Sequence, residues 1–177
     1  MITATPPAPL PPAPFVALAP TPSVRPARAE DAAALAELSQ PFVLSGELRE
    51  RPASLYATHA LDFLVAQGRP GGPLDGCVGL RTHPAGPGEG GRGAVGVLYN
   101  FCVAGQRQGH GVGAALLRSV LAVARARSLG ALYTATTGGG GLFLRYGFAP
   151  TTAPLAPVAW AGSLDPRRNA RIFTKAL

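Results

Sequence analysis

Between Val103 and Leu117 the sequence reads Val-Ala-Gly-Gln-Arg-Gln-Gly-His-Gly-Val-Gly-Ala-Ala-Leu-Leu, and the chemistry this spacing offers is anion binding. An apolar run passes through a turn poor in side chains and continues directly as an amphipathic helix. The first amides of a helix have no intrahelical partner, and the macrodipole adds partial positive charge at that end. Without side chains at Gly109, Gly111 and Gly113, a pyrophosphate can approach the backbone closely. Two other glycine loops are excluded by their surroundings. The phosphate loop of nucleotide hydrolases needs Lys-Ser/Thr after its last glycine, where Ala114-Ala115 stand here, and a dinucleotide fold carries its motif after the first strand, whereas this one comes late. Other reactive residues are sparse. His59, His83 and His110 have no metal-ligand spacing, and His110, inside the loop, is expected to face solvent or phosphate. Cys77 and Cys102 lie far apart within apolar runs, which suits buried free thiols; no metal site is expected.

The elements on either side must hold this loop in place. Val24–Ala27 reads as a short extended start. Glu30 to Leu38 follows as a helix with acidic residues in its first turn, ended by Pro41 and Gly46. Glu47 to His59 reads as a second helix, and residues 61–65 and 76–82 as a hairpin around the turn Gly68-Arg69-Pro70-Gly71-Gly72. Residues 84–93, with five glycines and two prolines, are expected to form a mobile loop. Ala94 to Val103 is almost continuously apolar, as a strand buried on both faces should be. After the loop, Ala114 to Ser128 carries an apolar stripe (Leu116, Leu117, Val120, Leu121, Ala124), with Gly130 as its stop. Leu132–Thr136 is a further strand, Leu142–Tyr146 a short helix, and Arg171–Leu177 the final strand. The pattern is a mixed α/β sheet flanked by helices on both faces.

A chain of 177 residues with 47% hydrophobic content fits one domain with a core of ordinary size. Nine prolines fall within the first 26 residues, so residues 1–22 are expected to be a disordered tail and residues 23–177 the folded domain. That start has no basic segment and no unbroken apolar stretch, so a cytoplasmic location is expected. Every apolar stretch is interrupted by Gly, Pro or Arg, so no membrane-spanning helix is expected. The net charge of +7 comes from 15 arginines and one lysine. These are scattered rather than clustered with aromatics, which argues against a nucleic-acid partner and suits a polyanionic cofactor and an acidic substrate.

Gln108-x-x-Gly111-x-Gly113, followed by Ala-Ala-Leu-Leu, resembles the acetyl-coenzyme A signature of the GNAT acyltransferase superfamily. Arg25 to Asp31 is similar to the family's opening, and Phe143-Leu-Arg-Tyr-Gly147-Phe148 to its closing helix and turn. The resemblance implies the GNAT fold, an N-acetyltransferase activity on a small amine, and acetyl-CoA as co-substrate. It assigns the cofactor to Gln108, Gly109, His110, Gly111, Val112, Gly113 and Ala114, with the backbone of Phe101, Cys102 and Val103 pairing with the pantetheine arm like an added strand. Within the superfamily, Gly46-Glu-Leu48-Arg-Glu-Arg51 and the ending from Arg168 to Leu177 resemble amino-acid N-acetyltransferases of the N-acetylglutamate synthase type. By that likeness Arg51 and Arg168 hold a substrate carboxylate, for which the planar guanidinium is suited. Ala170 replaces the family's serine.

The family's usual proton-transfer groups are absent. Residues 96–99, where a glutamate base is common, read Gly-Val-Leu-Tyr, and the usual acid tyrosine is Phe143; Tyr146 is expected to pack. Proximity and backbone donors then carry most of the catalysis, with Tyr99 and Asn100 as candidate proton relays. Two other functions remain open: a homologue that binds acyl-CoA without turnover, and a protein or peptide N-acetyltransferase. A homodimer fits the resemblance.

Overall fold

The computed structural model describes residues 22–84 and 93–177; all but the last residue of the expected tail and most of the expected loop at 84–93 lie outside the described residues. Seven strands form one sheet in the order β1-β2-β3-β4-β5-β7-β6. They are β1 Ser23–Pro26, β2 Phe63–Gln67, β3 Leu74–His83, β4 Val95–Val103, β5 Ala131–Thr136, β6 Ala149–Thr151 and β7 Arg171–Ala176. Only β4 and β5 pair in parallel. The helices are α1 Ala32–Leu44, α2 Ala53–Thr58, α3 Val112–Ala126, α4 Gly141–Arg145 and α5 Val158–Ala161. None of the described helices is long and apolar enough to cross a membrane.

Alternation along the strands divides the core between two layers of helices. On β2, Leu64 and Ala66 turn toward Leu116, Leu117 and Val120 of α3, while Phe63 and Val65 turn toward Leu35 of α1 and Tyr56 of α2. The apolar stripe read from the sequence of α3 is the buried one: Leu116, Leu117, Val120 and Ala124 are fully enclosed. The two cysteines are free and buried, as expected.

The first helices differ from expectation. α1 does not stop before Pro41 but runs on to Leu44; Ser45 N–H bonds to Pro41 C=O at 3.0 Å, and Gly46, at φ 78°, turns the chain out. Proline removes only its own donor, and one further turn is tolerated near a helix end. Glu47 to Pro52 is then not helical, and α2 begins only at Ala53. Pro52 is extended, at ψ 151°, and it disfavours helix in the residue before it. The short elements β6 and α5 carry too few residues to show a period.

β4 departs from regular pairing midway. Cys77 faces Cys102 and Gly79 faces Tyr99, so Val78 alone stands opposite both Asn100 and Phe101. That extra residue is a bulge, and Asn100 takes the left-handed conformation at φ 49°, where asparagine is tolerated better than most residues. On the other side, the β4–β5 ladder runs from Gly96↔Leu132 to Leu98↔Thr134 and stops. From Tyr99 onward the two strands part.

On the edge strand β1, Arg25 holds Asp31 through two bonds of 2.7 and 2.9 Å, and Arg28 N–H adds a third at 2.7 Å. The Arg25 guanidinium keeps the buried Asp31 carboxyl below the usual carboxylate range. Because the folded value lies below the unfolded one, this stabilisation is present above the unfolded pKa, near 3.9, and is lost as pH falls through the folded value. Asp31→Asn should cost about 1–2 kcal/mol at neutral pH, since the bonds are charge-assisted but Arg25 is partly solvated. The gap between wild type and variant in urea unfolding should close as pH falls below about 4; a gap that stays constant through the acid range would contradict this.

Candidate functional site

The glycine loop forms as the sequence implies. Gly109 and Gly111 have φ of 76° and 81°, and no heavy atom lies within 4 Å of where either would carry a Cβ. These two glycines are therefore required by backbone conformation, not by crowding. The turn is pinned by Arg107 N–H to Ala104 C=O at 2.8 Å and Gln108 N–H to Gly105 C=O at 3.2 Å, and the helix's first bond is Ala115 N–H to Gly111 C=O at 2.9 Å. The amides of Gly109, Gly111, Val112, Gly113 and Ala114 donate to no protein acceptor among the described residues. They form an open cluster of donors at the head of a 15-residue helix. Gln108 turns inward, its Nε2 donating to Val103 C=O at 3.2 Å. The exposed His110 ring folds back on the loop, Nδ1 lying 2.7 Å from Gln108 O.

A support for this loop was not legible in the sequence. Arg107 reaches the buried Asp75 at the start of β3, Nε to Oδ1 at 3.0 Å and Nη2 to Oδ2 at 3.1 Å, and Ala104 N–H bonds to Asp75 C=O at 2.9 Å. The start of the loop is thereby fixed to the neighbouring hairpin. The one signal was an acid inside an apolar strand.

Phe101, Cys102 and Val103 lie where β4 has left β5. Phe101 and Val103 pack toward α3. Cys102 packs toward α1, with its Sγ 3.5 Å from that of Cys77. Their side chains are thus committed to the core, and what they present to the gap is main chain. A small cavity of about 100 Å³ sits at the parting point between Leu98–Phe101 and Thr134–Thr137, with Phe143 on its wall. A larger one of about 570 Å³ lies between α1 and the start of the glycine loop.

Beyond the gap lies a cleft of about 380 Å³, and Tyr99, Asn100, Arg51 and Arg168, chosen separately from the sequence, all line it. Arg51 donates from Nη1 to Asn100 Oδ1 at 3.2 Å, and its guanidinium lies 5.4 Å from the centre of the Tyr99 ring. The same Asn100 oxygen accepts from Tyr56 OH at 3.3 Å, while its Nδ2 donates to Ser39 Oγ at 2.9 Å. Arg168 donates from Nη2 to Gly46 C=O at 3.1 Å and also to Glu47 C=O, and Arg49 donates to Ser163 C=O. These contacts join the segment after α1 to the segment before β7 across the cleft.

Sequence reading missed Arg81, on β3. Its guanidinium lies 5.1 Å from the Tyr99 ring centre, and Nη2 is 3.4 Å from Asp62 Oδ2. Tyr99 OH donates to that same carboxylate oxygen at 3.1 Å. The ring fits against β3 only because its partner is Gly79, where a Cβ would stand 2.6 Å from the ring carbons. Burial, and next the Asp62 charge, push the Tyr99 hydroxyl far above its ordinary range, so it stays protonated and acts as a donor. His83, also in the cleft, is lowered by burial and by Arg81, so it is neutral near pH 7. Tyr146 packs against the α3 side of the core, as expected, with Arg118 donating to its hydroxyl at 3.0 Å. Among the described residues there is no group of three potential metal ligands.

No curated protein matches the sequence. Many solved structures share the fold. The N-acetylglutamate synthase of Neisseria gonorrhoeae, complexed with coenzyme A and N-acetyl-glutamate, superposes with a TM-score of 0.77 at 24% identity over 89% of this chain and 35% of that one. This chain therefore spans about a third of that enzyme's length. The ribosomal-protein-alanine N-acetyltransferase of Brucella melitensis gives 0.64 at 21% identity, covering 88% of this chain and 99% of that one. Ard1 of Thermoplasma volcanium gives 0.65 at 14%, covering 88% and 97%. The sequence of residues 32–148 matches the acetyltransferase (GNAT) family, which takes in α1, the bulged β4, the glycine loop and the turn after α4: this chain belongs to the acetyltransferase (GNAT) family.

Proposed function

We propose that the protein transfers an acetyl group from acetyl-CoA to the amine of a small amino acid whose carboxylate is held by Arg51 and Arg168. The observation that carries this reading is the convergence of those two arginines in one cleft that shares a wall with the β4–β5 gap. Two guanidiniums facing one cavity suit a planar carboxylate, and both are already oriented by fixed acceptors, so little order is lost on binding. The likeness to N-acetylglutamate synthase favours an acidic amino acid among the candidates.

The residues present fit the acyl donor. The five open amides of Gly109 and Gly111–Ala114, at the N-terminus of α3, suit the two phosphates, and the main chain of 101–103, unpaired toward β5, suits the amide-bearing pantetheine arm as an added strand. Acetyl-CoA, when bound, supplies an activated thioester carbonyl. The chain's own part is to hold the acceptor nitrogen beside that carbon and shut out water. Tyr99 and Asn100 serve here as supports of Arg51 in place of the proton relay expected from sequence. The Tyr99 hydroxyl is spent on Asp62, and the Asn100 amide is divided among Ser39, Tyr56 and Arg51.

Thiol release from acetyl-CoA, assayed across the twenty amino acids, short peptides and polyamines, should be fastest with an acidic amino acid. Tight binding of acetyl-CoA without turnover on any acceptor would favour a sensor, and turnover confined to peptides a protein N-terminal acetyltransferase. Arg51→Met and Arg168→Met should each raise the acceptor KM by about 10- to 100-fold, the loss of one hydrogen-bonded charge, and leave the KM of acetyl-CoA in place; Arg51→Lys should recover little. An acceptor KM unmoved by both substitutions would remove them from the carboxylate site.

Gly111→Ala should act on the other substrate. It meets no steric obstacle, and its cost, about 1–2 kcal/mol, comes from the left-handed backbone. The KM of acetyl-CoA should rise about fivefold or more with the acceptor KM unchanged; an unchanged acetyl-CoA KM would show that the loop conformation does not matter to binding.

A further inference from the structure

The strand ahead of the cofactor loop has no carboxylate, yet an amine that arrives as an ammonium ion must lose a proton before it can attack a thioester. We propose that Glu47 is the general base, an inference that rests on the amino-acid acetyltransferase reading above. Three cavities bear on the reaction: one beside the cofactor loop, one at the β4–β5 gap and the arginine cleft. Glu47 is the residue common to the walls of all three. It stands where the donor's channel meets the acceptor's cleft.

The main chain around Glu47 is fixed while its side chain is free. Gly46 turns at φ 78°, Gly46 N–H bonds to Val43 C=O at 3.0 Å, and Leu48 N–H to Phe42 C=O at 2.9 Å. Arg168 holds the carbonyls of both Gly46 and Glu47. The Glu47 carboxylate itself takes part in no hydrogen bond or ion pair among the described residues. A carboxylate on an anchored backbone, unspent and at the junction, is available to accept a proton.

The other acids and bases nearby are placed or occupied differently. Asp165 Oδ1 accepts from Arg167 N–H in its own turn at 3.0 Å. Asp62 is outside the cleft wall and is shared by Tyr99 and Arg81. Glu37 lines only the cavity by the cofactor loop. His83 pairs with Val95, four residues before Tyr99 and so about 13 Å along the strand from it, and it does not reach the gap. The protons balance as follows. One leaves the ammonium nitrogen for a Glu47 carboxylate oxygen, and the freed lone pair bonds to the thioester carbonyl carbon. As the C–S bond breaks, a second proton passes from nitrogen to the departing sulfur, and Glu47 returns its own to water.

The test compares wild type, Glu47→Gln, Glu47→Asp and His83→Asn, using acetyl-CoA and the amino acid that wild type acetylates fastest, from about pH 6 to 9. The charged groups that line the cleft with Glu47 are Arg49 and Arg51 on its own segment, Arg81 on β3, and Asp165 and Arg168 before β7. Tyr99 stays protonated, and His83 is the histidine on the cleft wall that competes for the role of base. Glu47→Gln should lower kcat about 100-fold near pH 7 while the acetyl-CoA KM and the melting temperature hold. Its kcat/KM should keep climbing about tenfold per pH unit up to the pKa of the acceptor amine, where wild type levels off earlier, and Glu47→Asp should recover part of the loss. A Glu47→Gln enzyme within about threefold of wild type, or the pH signature appearing in His83→Asn instead, would overturn the proposal and leave the acetyltransferase reading standing. A wild type inactive on every acceptor would overturn both.

Discussion

The parting of β4 from β5 is the constraint on which the rest of the site depends. Two parallel strands that stayed paired to their ends would leave no room for a cofactor arm and no cavity at the junction. The ladder ends at Leu98↔Thr134, and two residues later, at Asn100, β4 bulges against its other neighbour, β3. A bulge increases local twist and re-aims side chains. Here it turns the Asn100 side chain into the α1 side of the sheet, where Ser39 and Tyr56 hold it. The left-handed residue at φ 49° costs something, and three side-chain partners offset it. The bulge and the parting of the strands thus meet at one place, where Asn100 forms part of the wall of the arginine-lined cleft.

The glycine loop and the arginine cleft are made by different means. The loop works through what is missing: two left-handed glycines aim a group of amides outward, and the side chains of Gln108 and His110 turn back upon the loop itself. The cleft works through what is present, since each of its arginines is oriented by a specific partner. The first is main-chain chemistry written into a few consecutive residues. The second draws on residues from β3, the segment after α1 and the segment before β7, which meet only in the folded chain.

That difference explains what could be read in advance. The loop and α3 were legible because strand, glycines and apolar stripe are contiguous and each has its own local signal. The hairpin and the central strand were legible from turn residues and continuous apolarity. The apolar spacing from Leu48 to Tyr56 suggests a longer α2 than Pro52 permits, and Pro41 suggests a shorter α1 than forms, because a proline one turn from a helix end is tolerated. Arg51 and Arg168 were reachable through family likeness, but Arg81 was not. Its role depends on Tyr99 lying flat across Gly79, a cross-strand relation that appears only once the register is known. Glu47, read as a helical residue, gave no sign of standing at a junction.

Bringing four guanidiniums to one cleft would be unfavourable if they were left to water and to one another. Each is instead satisfied at close range without a full neutralising charge. Arg49 and Arg168 take backbone carbonyls, Arg51 takes an amide oxygen, and Arg51 and Arg81 share the Tyr99 ring, which attracts cations through its quadrupole while remaining neutral. Only Arg81 meets an acid, Asp62, and that acid is shared with the tyrosine hydroxyl. Carbonyls and rings fix a guanidinium's direction but leave most of its charge uncompensated. The cleft is thus ordered before any substrate arrives and still positive, which is the condition under which an anionic acceptor gains most from binding.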